Sequence, residues 1–142
     1  MMFNIILFVC MNCITFFMAK SIIAEKTLDF SVNVVRASQF LNQEKHEYDI
    51  SRQLKRAGTS IGANVSEALN ASSRKDFIHK MTLALKEANE AFYWIQILKR
   101  TDYNHEIISN LEYPCHEIIK ILRSIILTSK SSLHHSTLKD SQ

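Results

Sequence analysis

Glycine and proline are almost missing from this chain of 142 residues, which has two glycines and one proline. Typical proteins contain about 7% glycine and about 5% proline. Hairpins and many-stranded sheets use these residues in their turns, so their scarcity argues against a β protein. A chain of this length suits a single domain. The composition therefore predicts one all-α domain.

Cysteine is also scarce, because the chain has only Cys10, Cys13 and Cys115. Three cysteines are too few for a disulfide framework, and this usage suits the reducing cytoplasm. Cys10 and Cys13 have the spacing of half a zinc site, but no second pair of ligands stands at zinc-finger spacing. We therefore expect a cytoplasmic protein that holds no metal and no cofactor.

Charge is missing from the first eighteen residues, MMFNIILFVCMNCITFFM, which form an apolar extension over 1–18. As a membrane span this run falls short of about 20 apolar residues and is interrupted by Asn4 and Asn12; as a signal peptide it lacks a basic start. We expect Met18 to be the working start, with the preceding residues as upstream sequence in the gene model. A signal or anchor and a helix docked on the domain are the alternatives.

Four later segments place apolar residues three and four positions apart, which is the pattern of an amphipathic helix. These apolar patterns run over residues 21–43, 50–68, 77–98 and 105–128 and predict four helices, the second opening at Tyr48 or Asp49 and the third after Ser73. Ser73 has the spacing of an N-cap for the third helix. Pro114 predicts a kink or a split near residues 110–114 of the fourth. The expected fold is an up-down four-helix bundle over 19–128, followed by a frayed polar tail over 129–142.

Both glycines lie in the second predicted helix, whose apolar pattern runs straight through them. Each glycine inside a helix costs about 0.8–1.0 kcal/mol relative to alanine, so the pair needs a compensating gain. Gly58 and Gly62 share one face, and with Asn64 they predict a surface on which another helix packs closely. A phosphate-binding loop would need a preceding strand and a following Lys-Ser or Lys-Thr pair, which the sequence lacks. A local break of the helix is the remaining alternative.

The third helix has a second apolar flank near its end, where Phe92, Tyr93 and Trp94 stand together. One core cannot cover this much of a helix. Either two neighbouring helices of the same chain cover it, or these aromatic residues meet another subunit. We keep Phe92, Tyr93 and Trp94 as candidates for an oligomer interface.

Catalytic motifs are incomplete in this sequence. His105-Glu106 and His116-Glu117 begin like the zinc-protease motif H-E-x-x-H, but Ser109 and Lys120 stand where the second histidine is needed. Glu87 and Glu90 share one face of the third helix, and Glu87 or Glu90 is expected to pair with a basic residue of the second. These patterns predict a protein that is not an enzyme and takes no small-molecule substrate.

Basic residues concentrate on the second and third helices. The nucleic-acid-binding candidates form two patches at opposite ends of the second helix: Arg52, Lys55, Arg56 and Arg74, Lys75. Repetition of such patches around an oligomer would multiply the phosphate contacts on which nucleic-acid affinity depends. The competing interpretation is a purely structural protein-protein interaction module whose charges only keep it soluble.

Two segments resemble a known family: SIGANVSEA at residues 60–68 and KEANEAFYWI at residues 86–95, with IAEK at 23–26 matching its first helix. The chain is similar over about 19–128 to the four helix bundle protein family, also called the 23S rRNA intervening-sequence protein family. The resemblance implies a bacterial helical bundle without assigned catalytic residues that assembles as a ring, typically a pentamer. A related branch, the accessory variability determinant of diversity-generating retroelements, has a basic surface that engages RNA and a reverse transcriptase. Possible partners are therefore further copies of the chain and RNA or a nucleoprotein.

Overall fold

A computed structural model describes the backbone of residues 2–139 and the side chains of residues 22–131. The regular elements in that backbone are all helices: α1 (Met2–Glu44), α2 (Asp49–Leu69), α3 (Arg74–Lys99), α4 (Glu106–Ser109) and α5 (Glu112–Lys139). Contacts join α1 to α2, α2 to α3, α3 to α5 and α5 back to α1. The four long helices close a bundle in which successive helices run in opposite directions, and the predicted all-α four-helix fold is confirmed.

The core consists of the predicted apolar positions. In the four predicted helices, the apolar residues spaced three and four positions apart are all buried except Ile50, which is half-buried. The largest fully buried ones include Phe30, Leu54, Met81, Ile95 and Leu122. Burying one such side chain contributes about 1.5–3 kcal/mol, so these positions dominate the stability of the fold. Cys115 lies among them at the bundle centre, and burial raises its pKa to about 12, so its thiol stays protonated near neutral pH.

The predicted split at Pro114 is confirmed. The short helix α4 ends at Ser109, and α5 begins at Glu112, two residues before the proline. A proline is tolerated in the first turn of a helix, because the amide that it lacks has no partner there. Further along a continuous helix, its ring would have clashed with the carbonyl of Asn110.

Two helices are longer than the sequence predicts. The backbone of α1 is helical from Met2, and α5 continues past Thr128 to Lys139, so the predicted end at Thr128 is wrong. Neither extension contains glycine or proline, and Ser129, at the start of the expected tail, is buried. The predictions for the extension over 1–18 concern residues whose side chains lie outside the described part of the structure. Among the residues that the structure describes, none of the helices has an apolar stretch of the length that a membrane crossing requires.

The turn between α1 and α2 is built around Glu47. His46 adopts a left-handed conformation, with φ of 52°, and ends α1. The Glu47 carboxylate then turns back into the bundle, where its oxygens accept the backbone N–H groups of Asp49, Ile50 and Ser51 at 3.1, 2.8 and 2.7 Å. These are the first amides of α2, which have no partner within the helix, so this carboxylate caps α2.

Gly58 and Gly62 both face α1. A Cβ atom built on Gly58 would lie 2.8 Å from both Cγ atoms of Val34, and one on Gly62 would lie 3.2 Å from Oγ of Ser31 and 3.4 Å from the carbonyl oxygen of Thr27. The backbone of α2 therefore approaches the side chains of α1 at a distance that a larger residue at position 58 would prevent. Neither glycine has a positive φ, and α2 is continuous through both. Asn64 has a different contact, because its amide donates to the Ser60 carbonyl of its own helix at 2.8 Å.

We expect Gly58→Ala to be less stable than Gly62→Ala by about 1–2 kcal/mol, because a Cβ at 58 would lie 2.8 Å from both Cγ atoms of Val34, whereas one at 62 would come no closer than 3.2 Å to Ser31. Both variants gain the same helix propensity, about 0.8–1.0 kcal/mol, so their difference isolates the packing against α1. Urea unfolding followed by circular dichroism measures it. In a Val34→Ala background the difference should shrink. Equal stabilisation by both alanines would show that the α1–α2 distance does not depend on Gly58.

Candidate nucleic-acid interface

The first predicted basic patch, on α2, is largely engaged in ion pairs. Arg52 pairs with Asp49 at 3.0 Å on the same helix. Arg56 pairs with Glu90 of α3 at 3.0 Å. This confirms the expected ion pair between a carboxylate of the third helix and a basic residue of the second. Lys55 is exposed and makes no ion pair with a described residue. Two of the three positive charges are therefore locally compensated.

The second predicted patch opens α3. The Ser73 hydroxyl accepts the Asp76 amide at 3.1 Å, as the sequence predicts, and starts the helix directly before Arg74 and Lys75. Both basic side chains are exposed, and neither pairs with an acid in the described part of the chain. Two cations at the positive end of a helix dipole are unfavourable by about 0.3–1 kcal/mol each. Their position therefore does not serve the stability of α3.

Side-chain contacts near the C-terminal end of α3 set the alignment of α3 against α5. Nε2 of Gln96 donates to Glu112 at 2.6 Å, and Lys99 also bonds this carboxylate. The bond from Lys99, and after it the bond from Gln96, lowers the pKa of Glu112. One turn further along α5, the His116 ring lies 6.1 Å from that of Phe92. The step from Gln96 back to Phe92 along α3 therefore matches the step from Glu112 forward to His116 along α5. This is the register of two antiparallel helices.

This register brings basic residues of α5 to the second patch. Lys130 follows Glu112 by 18 residues, or five helical turns, and Arg123 follows it by 11, or about three, so both lie on the α3 side of α5. Arg74 precedes Phe92 by 18 residues and therefore lies on the α5 side of α3. Continuing the register puts Lys130 level with Ile78 and Arg123 level with Leu85. Arg74, Lys75, Arg123 and Lys130 thus form one group, the α3–α5 basic cluster, which spans about 16 Å along the bundle.

The α3–α5 basic cluster carries little opposing charge. All four side chains are exposed, and none has an ion pair with a described residue. The sequence of α5 contains no Asp or Glu after Glu117. The nearest acid on α3, Asp76, shares the first turn with Arg74 and Lys75, but its side chain forms no ion pair with either of them. The sequence patterns predicted Arg74 and Lys75 but missed Arg123 and Lys130, which lie about 50 residues further along the chain.

The incomplete catalytic motifs have structural contacts. Nδ1 of His105 accepts the Ile107 amide at 3.3 Å and caps α4, and its ring lies 4.4 Å from that of Phe40. Glu117 pairs with Lys26 of α1 at 2.9 Å, which raises the pKa of this lysine. Within residues 22–131, no three His, Cys, Asp or Glu side chains come close enough to share a metal ion. Cys10 and Cys13 lie outside the described side chains.

The three aromatic candidates for an oligomer interface have different surroundings. Phe92 and Trp94 are half-buried and pack against the core, since α3 lies between α2 and α5. Tyr93 is 58% exposed. Helices of the same chain therefore cover most of the second apolar flank of α3, and Tyr93 is the part left open.

Another apolar surface lies on α1 and α2. A groove of about 500 Å³ runs between the two helices beside Gly62 and is lined by Ala24, Thr27, Leu28, Ser31, Thr59, Ala63, Val65, Ser66 and Leu69. The lining contains no charged side chain. On its α1 side, Leu28 and Val32 form an aliphatic ridge that is 65% and 43% exposed.

Comparison with known proteins places this bundle in a family. Residues 19–124 match the model of the family described as 23S rRNA-intervening sequence protein. The chain belongs to this family. It is also similar to a crystal structure, at 1.70 Å resolution, of a protein with unknown function from the S23 ribosomal protein family of Bacteroides thetaiotaomicron VPI-5482. The two are 44% identical with a TM-score of 0.73, over 76% of this chain and 97% of that one.

The family match covers the bundle and stops before the end of α5. It includes the two glycines, the Arg56–Glu90 pair and three members of the α3–α5 basic cluster, while Lys130 lies beyond it. A comparison with curated proteins finds no match.

Proposed function

We propose that this member of the 23S rRNA-intervening sequence protein family is a non-enzymatic, cytoplasmic accessory protein that binds RNA as a homo-oligomer. The observation that carries the proposal is the α3–α5 basic cluster. Its four exposed cations come from two helices and have no ion pair with a described residue. Exposed cations at such spacing meet successive phosphates of a nucleic-acid backbone.

The placement of Arg74 and Lys75 supports a negatively charged ligand. At the first turn of α3 they oppose the helix dipole, so a phosphate bound there would relieve their repulsion and reach the free amides of the same turn. The groups that resemble catalytic motifs support a non-enzymatic role, because His105 caps a helix and Glu117 forms an ion pair.

The test is a salt titration of RNA binding by the full chain, purified with nuclease treatment. A fluorescein-labelled oligoribonucleotide of 20 nucleotides is titrated at several NaCl concentrations, and anisotropy reports the affinity. We expect log affinity to fall linearly with log salt, with a slope of about −3 if the four cations each meet a phosphate of a single strand. Binding that is independent of salt, or absent at low salt, would contradict the proposal and leave the structural-module alternative.

Self-association is proposed to use the groove between α1 and α2. The aliphatic ridge of Leu28 and Val32 lies directly beside this groove, so the same surface offers a projection and a recess to a second copy. Phe92 and Trp94 are less suited to the contact, because the core of their own chain already holds them. Five copies is the expected number from the family resemblance.

Leu28→Glu combined with Val32→Glu is expected to reduce the mass measured by light scattering to that of one chain of 16.4 kDa. Both residues are exposed in the single chain, so the variant should keep its helical circular dichroism. The matched control is Leu127→Glu, a similarly exposed leucine on α5, which should leave the mass unchanged. Dissociation by the Leu127 variant alone would place the contact on α5.

A further inference from the structure

The outer face of α3 joins the α3–α5 basic cluster to an exposed aromatic ring. Lys75, Lys86, Tyr93 and Arg100 follow one another at intervals of 11, 7 and 7 residues, which keeps them on one side of the helix. All four are exposed, and the three cations have no ion pair with a described residue. The row extends about 37 Å from the start of α3 to its end.

Tyr93 forms one wall of a shallow pocket at the end of this row. The pocket has a volume of about 290 Å³ and is lined by Tyr93, Gln96, Ile97, Arg100 and Thr101. Tyr93 supplies an aromatic surface, Ile97 an apolar one, and Arg100 a guanidinium that is free to contact an anion. An aromatic surface beside a cation suits a flat, partly apolar group that carries a phosphate.

The side chains around Tyr93 are held by their neighbours. The Trp94 ring lies edge-on to the Tyr93 ring, with 5.3 Å between the centroids. Gln96 is fixed by its 2.6 Å hydrogen bond to Glu112 of α5. A platform that is already ordered loses little conformational entropy when a ligand stacks on it.

We propose that Tyr93, Gln96 and Arg100 form a subsite for one unpaired base of single-stranded RNA, with the base against Tyr93 and its phosphate on Arg100. This inference rests on the proposed RNA binding and names the form of RNA. Bases of a duplex are stacked inside it and do not reach a surface ring, whereas unpaired bases stack on exposed aromatic residues. Lys86 and the α3–α5 basic cluster, which includes Lys75, then hold the backbone that continues along α3.

The experiment follows the fluorescence of Trp94, the only tryptophan of the chain, during titration of the full protein with a 12-nucleotide oligo(rA). A base stacked on Tyr93 should quench it. Tyr93→Ala is expected to weaken binding about 5- to 150-fold, the range found for one stacking platform, while Tyr93→Phe retains the aromatic face and the affinity. Arg100→Gln should reduce the affinity and the salt dependence. Tyr113→Ala removes a tyrosine that is 76% exposed on the α1 side of α5, near Lys26, and should change nothing.

The same titration with oligo(rA) annealed to oligo(rU) should give weaker binding and no quenching. Equal affinity for single strand and duplex would overturn the subsite, as would wild-type affinity in Tyr93→Ala. If in addition the basic-cluster variant described below loses binding, the proposed RNA binding stands without the subsite. Failure of the wild-type protein to bind either RNA would remove both proposals. A fall in mass on Tyr93→Ala, seen by light scattering, would assign this ring to a subunit contact and overturn the subsite.

Discussion

Replacing Arg74, Lys75, Arg123 and Lys130 together by glutamine is expected to weaken RNA binding by roughly 100- to 1,000-fold at 0.1 M salt. Four lost phosphate contacts should also make the slope of log affinity against log salt shallower by about 3, because each contact to a single strand contributes about 0.7. The substituted side chains are exposed, so the fold should remain. Without RNA the variant should be slightly more stable, since Arg74 and Lys75 no longer oppose the dipole of α3.

A variant with the same change in net charge provides the control. Glutamine at Arg36, Arg52, Lys55 and Arg56 also removes four positive charges, but Arg52 and Arg56 already have acidic partners. We expect a much smaller loss of affinity, and anisotropy titrations of both variants make the comparison. Equal losses would mean that total charge, rather than the α3–α5 basic cluster, controls binding. A larger loss in the control would return the interface to the α2 patch.

Glu47→Ala is expected to lower the free energy of unfolding by about 2–4 kcal/mol. Glu47 is 7% exposed, and its carboxylate accepts three backbone amides at the start of α2. Each hydrogen bond to a charged group contributes about 1.5–3 kcal/mol, not additively. Removing it leaves donors near the bundle interior without a partner. Urea denaturation followed at 222 nm measures the change.

Glu44→Ala is the matched control, since Glu44 ends α1 in the same connection and is exposed. A surface substitution of this kind usually changes stability by less than about 0.5 kcal/mol. Glu47→Gln should recover part of the loss, because its amide oxygen still accepts a hydrogen bond. If the two alanine variants were equally stable, water would be satisfying the amides of α2 and Glu47 would not be its cap.

Most of the fold could be predicted from local patterns. The helical spacing of apolar residues identified the core from Ile23 to Ile125, because a helix repeats every 3.6 residues and one face must be buried. Ser73 and Pro114 marked a helix start and a split, since both act through the backbone within a few residues of their own position. The family could be recognised for the same reason, as its motifs lie within single helices.

Local patterns were weaker wherever a residue acts through its surroundings in space. The local patterns did not single out Glu47, because the left-handed turn at His46 directs its carboxylate to the amides of α2. The end of α5 was placed too early, because the polar composition after Thr128 outweighed the lack of a helix-breaking residue. The sequence predicted that a basic residue of α2 meets Glu87 or Glu90, but it did not show which one, since Arg56 meets a carboxylate 34 positions away.

The sequence by itself determined four amphipathic helices, their order, the two glycines on one face and the family. These features follow from the chemistry of neighbouring residues along one chain. Tertiary structure alone decided that Val34 packs against Gly58, that Arg56 is the basic residue that pairs with Glu90, and that Lys130 and Arg123 join Arg74 and Lys75. Those relations depend on the register between helices, which is set by many weak contacts at once and leaves no periodic signal in the sequence.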